Sequence, residues 1–142
     1  MFARLFGFRG RIGRTEYAIL SIGAFGVVAL MVPLLLVASM SGGEYGSGGL
    51  TGSGLLIVPI ALAGLWIQAA LAVRRLHDMD RAAWHLAWMV LVPLPAALLP
   101  TLAQLGVSSM PWIWLCAAQG TEGPNRFGAP PGPVGDRLGS VP

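Results

Sequence analysis

The chain has 142 residues, of which 55% are hydrophobic and 11% charged, with a formal net charge of +3. Soluble domains carry about 25% charged residues, so this composition excludes an ordinary water-soluble domain and predicts a membrane protein. The pI near 10.0 is typical of nucleic-acid-binding proteins. Here the small net charge, with the basic residues beside apolar runs, predicts no nucleic-acid partner. The single cysteine, Cys116, excludes an internal disulfide and a zinc cluster, and no cofactor is expected.

All nine basic residues are arginines, and they fall into three groups. The groups lie before the first apolar run, in one polar break and in the tail: Arg4, Arg9, Arg11 and Arg14; Arg74, Arg75 and Arg81; Arg126 and Arg137. Arginines beside membrane segments are retained in the cytoplasm, so apolar runs that cross the bilayer in pairs would leave every arginine on that side. We therefore predict a multi-pass protein with both termini cytoplasmic.

The first half of the chain predicts one surface segment and two spanning helices. Residues 1–16 mix aromatic residues with arginines, as in an amphipathic cytoplasmic segment lying in the headgroup layer. Residues 17–40 are long enough, at about 1.5 Å each, to cross about 30 Å of hydrocarbon. A glycine- and serine-rich loop over 41–54 contains no basic residue and leads to the second segment, 55–73.

From residue 84 to residue 118 the chain has no charged residue, which is long for one crossing and short for two. Prolines and polar residues inside this stretch predict a tight hairpin with limbs over 84–102 and 110–118 and a turn near 103–110. The hairpin is either two crossings or a re-entrant loop. Both versions return the tail to the arginine side, whereas a single kinked crossing would not.

The last segment, residues 119–142, is rich in proline and glycine and is predicted as a cytoplasmic, largely disordered tail. The membrane domain therefore covers residues 17–118. The predicted fold class is an all-α integral membrane bundle of four apolar helical segments.

Three polar motifs flank the apolar segments. They are Gly10–Tyr17, Arg74–Asp78 with Arg81 and Trp84 behind it, and Gly120–Gly128. In this order, over about Phe6 to Pro130, they resemble the bacterial inner-membrane family called domain of unknown function 805. The resemblance implies a helical protein of the bacterial inner membrane. It implies no activity, because the family has no assigned function.

The middle motif allows three interpretations. If the second helix continues through it, Arg74 and Arg75 lie four and three residues before Asp78 and can pair with it at a cytoplasmic helix end. The guanidinium groups could instead bind an anionic lipid headgroup or a phosphate. Catalysis would need His77 as a general base, but neighbouring helix residues point about 100° apart, so Asp78 would not orient it. No nucleophile or metal-ligand set lies nearby in sequence, so we predict a non-enzymatic protein.

Because all three motifs fall at one membrane surface, we predict that they form one polar cluster that binds anionic lipid headgroups or a protein partner. The predicted binding residues are Arg11, Arg14, Glu16, Arg74, Arg75, His77, Asp78, Asn125 and Arg126. The alternative is a small transporter or channel subunit, with Gln68, Gln104 and the small residues of the first helix (Ser21, Gly23 and Gly26) lining a polar path. Convergence of Gln68 and Gln104 in one cavity would favour transport, and separate packing against helices would not.

Overall fold

The computed structural model describes residues 6–41, 55–91 and 94–132. That part of the chain is helical, as predicted, and contains no strand beyond one isolated bridge between Asn125 and Gly128. Its four α-helices and one 3-10 helix are α1 (Arg14–Ser41), α2 (Ile57–Asp78), α3 (His85–Leu91), the 3-10 turn Pro95–Leu98 and α4 (Thr101–Ala117).

Helices α1 and α2 form an antiparallel pair, and one glycine allows their close approach. Gly64 of α2 faces Val28 of α1, and a Cβ at position 64 would overlap the valine methyl group. Small residues at such contacts let helix backbones come together. Gly23 and Gly26 of α1 do not take part in this contact, because a Cβ at either position would meet nothing within 4 Å.

Two of the described helices are long and apolar enough to cross a membrane. The candidate spans are Arg14–Val37 and Ile57–Asp78, and only 6% and 33% of their most apolar windows are buried inside the protein. Most large apolar side chains on these helices are exposed, including Phe25, Leu30 and Leu65.

Residues 84–118 form a hairpin whose turn differs in position from the prediction. The expected turn near 103–110 is wrong, because α4 runs unbroken through it. The break falls instead between α3 and α4, where Pro95 and Pro100 cannot donate the backbone hydrogen bonds that would continue a helix. Inside α4 the polar residues are compatible with a helix: Ser109 Oγ donates to Gly106 O at 2.9 Å.

Three other predicted boundaries shift. Helix α1 begins three residues before the predicted start at residue 17, and α2 continues through the middle motif to Asp78, beyond the predicted end at residue 73. The tail is not disordered throughout, because residues 119–132 fold back against the end of α2. The rest of the predicted disordered tail, 133–142, lies outside the described residues.

The buried apolar side chains gather where the N-terminal segment, α1, α2 and α4 meet. This core contains Ile12, Tyr17, Leu71, Leu76 and Leu115, each 2% exposed or less. The N-terminal segment therefore inserts into the protein at Ile12, where an amphipathic segment lying along the headgroup layer was expected. Directly against this core lies the only group of buried charged side chains that the described ranges contain.

Candidate functional site

Helix α2 carries three charged residues of the middle motif into the interior: Arg74, Arg75 and Asp78. Because the helix continues to its last residue, Asp78, Arg75 lies one turn before that residue on the same face. Arg75 is fully buried and Asp78 is 4% exposed. Nη1 of Arg75 donates to Oδ2 of Asp78, so the buried carboxylate is neutralised within its own helix.

The N-terminal segment supplies a second arginine to the same carboxylate. Nε and Nη2 of Arg11 lie 3.1 Å and 3.0 Å from Oδ1 of Asp78. The other N–H groups of Arg11 donate to tail carbonyls, at 2.7 Å to Thr121 O, 2.7 Å to Gly123 O and 3.2 Å to Gly128 O. Arg11 therefore joins the first motif to the second and the third.

The same side chains satisfy carbonyl groups that helices leave free at their C-terminal ends. Arg75 Nε donates to Leu115 O at 2.9 Å, and Nη2 donates to Ala118 O, at the end of α4. Thr121 donates to Asp78 O at the end of α2, from N at 2.8 Å and from Oγ1 at 3.0 Å. Helix α2 thus caps α4, and the tail that follows α4 caps α2.

A turn over residues 125–128 holds the tail on the end of α2. Asn125 and Gly128 exchange backbone hydrogen bonds of 3.1 Å and 3.0 Å, and Asn125 Oδ1 accepts from Phe127 N at 2.9 Å. Asn125 Nδ2 donates to His77 O at 2.8 Å. The Phe127 ring stacks on the His77 ring, with centroids 3.9 Å apart. We call Arg11, Arg75, Asp78, Thr121 and Asn125 the polar cluster.

Gly120 permits the close approach of the tail to Asp78. A Cβ at position 120 would lie 2.8 Å from Asp78 Cγ and would overlap Oδ2. Gly120 and Thr121 both lie in the third motif, but sequence reasoning did not single them out. Their contacts depend on where the tail meets α2, which no local pattern reveals.

The other predicted binding residues lie around the polar cluster. Arg74 is buried, Glu16 is half-buried in the first turn of α1, and Arg14 is exposed where that helix begins. Arg126 pairs with Asp80 at the surface: Nε lies 3.1 Å from Oδ1, with side chains 58% and 46% exposed. That any of the predicted residues binds an anionic group stays a prediction.

The two glutamines of the transport hypothesis do not converge. Gln68 packs against α1, where Nε2 donates to Ser21 O at 2.9 Å and Oε1 accepts from Ser21 Oγ at 2.9 Å. Trp112 Nε1 of α4 donates to the same hydroxyl at 2.6 Å. Gln104 lies eight residues before Trp112, about 12 Å away along α4.

Charge is confined to one end of the described structure. All its charged residues lie in 9–16, 74–81 and 122–126, which the polar cluster brings together. Among the described residues, Arg9 and Arg14 are exposed and form no ion pair. The same part of the chain contains no group of three or more His, Cys, Asp or Glu side chains that could hold a metal ion.

The fold and the cluster define a small helical protein with two helices that could span a membrane. Its N-terminal segment, second helix and tail are joined by buried arginine–aspartate pairing. Residues 5–129 match the family described as "Protein of unknown function (DUF805)", and the chain belongs to this family. This confirms the resemblance carried by the three motifs. No curated protein and no solved structure matches the chain.

Proposed function

We propose that the chain is a non-enzymatic, multi-pass protein of the bacterial inner membrane, and that its charged end gathers anionic lipid headgroups at the cytoplasmic surface. The separation of charge from apolar surface carries this proposal. Helices α1 and α2 expose apolar side chains over most of their length, while the charged side chains are confined to one end. Such an apolar surface is stable against hydrocarbon and unfavourable in water.

The orientation follows from the sign of the charge. Arginines outnumber carboxylates at the charged end, and arginines beside spanning helices favour the cytoplasmic side. The N-terminal segment and the tail both contact Asp78, which supports a cytoplasmic location for both. Helix α4 has 17 residues, about 26 Å, so a re-entrant hairpin over α3 and α4 suits about 30 Å of hydrocarbon better than two crossings.

Within this function the polar cluster has a structural role. Arg11 and Arg75 donate their N–H groups to Asp78 and to backbone carbonyls, which leaves them poorly suited to a phosphate. The cluster instead holds three chain segments together at the membrane surface. Arg9 and Arg14, exposed beside it, are the arginines that we assign to lipid headgroups.

A catalytic role has little support from the same contacts. The Asp78 carboxylate is shared between two arginines, and Phe127 covers one face of the His77 ring. A base needs an accessible nitrogen within reach of a substrate proton, and Nδ1 of His77 is buried. The transport alternative also loses support, because Gln68 pairs with Ser21 rather than lining a path with Gln104.

The proposal is tested by the lipid composition around the protein. Membranes from cells that express the full chain are solubilised with a styrene–maleic acid copolymer. The lipid composition of the purified discs is then compared with that of the bulk membrane. We expect enrichment of phosphatidylglycerol, because an arginine near an anionic surface contributes about 1 kcal/mol, or about fivefold. Raised salt during extraction should reduce the enrichment.

Matched variants distinguish an effect of Arg9 and Arg14 from an effect of losing any positive charge. Combined Arg9→Gln and Arg14→Gln should remove most of the enrichment. Arg126→Gln should not, because Arg126 is already paired with Asp80. Bulk composition around the wild-type protein would contradict the proposal, as would failure of the chain to fractionate with membranes.

A further inference from the structure

A groove of about 410 Å³ lies between α3 and α4, outside the polar cluster. Its volume falls within the range of small-molecule sites, about 300–1,000 Å³. Its lining includes Arg81, His85, Trp88, Met89, Met110 and Trp114.

The groove is polar at one end and apolar at the other. Arg81 is its one charged lining residue and follows the end of α2 by three residues, so it lies at the charged end of the protein. On α4, Met110 lies four residues before Trp114, about 6 Å farther from that end. On α3, Met89 lies four residues beyond His85. The deeper walls are therefore formed by methionine and tryptophan side chains.

The polar end presents groups suited to an anion. The Arg81 guanidinium carbon lies 5.1 Å from the centroid of the Trp114 ring, so the ring holds one face of the guanidinium. The N–H groups point along the guanidinium edge and suit paired phosphate oxygens. His85 is held through Nδ1, 3.0 Å from Ala82 O, which leaves its second ring nitrogen near the same end.

We propose that this groove holds one anionic phospholipid, with its phosphate at Arg81 and an acyl chain along Trp88, Met89 and Met110. Charge complementarity identifies the occupant. The single cation at the polar end of the groove matches an anionic headgroup, and the apolar walls farther in match an acyl chain. Flexible methionine side chains accommodate chains of different shape. This inference rests on the membrane location proposed above, but it concerns one retained lipid rather than the exchanging lipids near Arg9 and Arg14.

Native mass spectrometry of the detergent-purified full chain, after incubation with phosphatidylglycerol or phosphatidylcholine, tests the inference. We expect one retained phosphatidylglycerol and at least several-fold less phosphatidylcholine. Arg81→Gln should lower the retained fraction of phosphatidylglycerol about tenfold, as for loss of one charge-assisted contact of about 1.4 kcal/mol. Arg126→Gln, which removes an arginine that is paired with Asp80 outside the groove, should leave retention unchanged.

A second variant fills the groove and keeps its charge. Met110→Trp should abolish retention of phosphatidylglycerol. Cooperative thermal unfolding of this variant verifies that it folds. Equal retention of the two lipids would overturn the inference, as would unchanged retention in Arg81→Gln or Met110→Trp. It would also be overturned if the wild-type protein is a dimer that Met110→Trp dissociates, because a second copy of the chain would then occupy the groove. Phosphatidylglycerol enrichment in copolymer discs would then persist if only the groove assignment is wrong, and would vanish if the proposed function is wrong.

Discussion

Replacement of Asp78 by asparagine removes the charge that neutralises two buried arginines while keeping the side-chain volume. Arg11 and Arg75 then remain buried without a counterion, although their carbonyl acceptors stay in place. Removal of one partner from a buried ion pair costs about 3–5 kcal/mol. Because those carbonyls still stabilise the guanidinium groups, we expect the lower end, about 3 kcal/mol, or roughly 10 °C in Tm for a chain of this size.

The single cysteine provides the assay. Cys116 is half-buried at the edge of the apolar core, so a thiol-reactive fluorophore reports unfolding of detergent-solubilised protein during heating. Asp80→Asn is the matched control, because Asp80 pairs with Arg126 at the surface. An exposed pair contributes about 0–1 kcal/mol, so the control should shift Tm by roughly 3 °C at most. Equal shifts for the two variants would refute the structural role assigned to the polar cluster.

Four further substitutions, one of them a control, test the docking of the tail and the packing of α1 on α2, each by the same thermal assay. Gly120→Ala should lower Tm nearly as much as Asp78→Asn, because its Cβ would displace the carboxylate; an unchanged Tm would mean that the tail does not dock. Gly64→Ala should cost about 1–3 kcal/mol through overlap with Val28. Gly23→Ala is the control, because its Cβ meets open space and should leave Tm unchanged. Equal losses of stability in Gly23→Ala and Gly64→Ala would contradict the described packing of α1 on α2. Gln68→Leu removes two hydrogen bonds to α1 and should cost only about 1 kcal/mol; complete loss of folding would assign it a larger role.

The features of the architecture that depend only on local composition could be predicted from the sequence. Long apolar runs and grouped arginines indicate helices and a polar end without reference to any distant contact. The predicted turn near 103–110 is wrong because Gln104 and the neighbouring serines do not break the helix in which they lie. In the structure, a serine hydroxyl bonds within its own helix, and the described break contains the 3-10 turn Pro95–Leu98 and Pro100.

The composition of the cluster was only partly predictable. The three motifs identified Arg11, Arg75 and Asp78 as candidates, because charges beside apolar helices need partners. Their near-complete burial was not foreseen, since it depends on Thr121 and on carbonyls of α4 that lie far away in sequence. Sequence reasoning allowed both pairing of arginine with Asp78 and guanidinium groups free for a ligand. The guanidinium groups of Arg11 and Arg75 form ion pairs with Asp78 and cap helix ends.

Cysteine accessibility in intact bacterial cells tests the central claim most directly. In a Cys116→Ser background, Ser47→Cys and Gly135→Cys place one thiol between the two long helices and one in the tail, and a membrane-impermeant maleimide reports which side each thiol faces. The account predicts labelling of Ser47→Cys in intact cells and of Gly135→Cys only after permeabilisation. Labelling of Gly135→Cys in intact cells would contradict a cytoplasmic charged end.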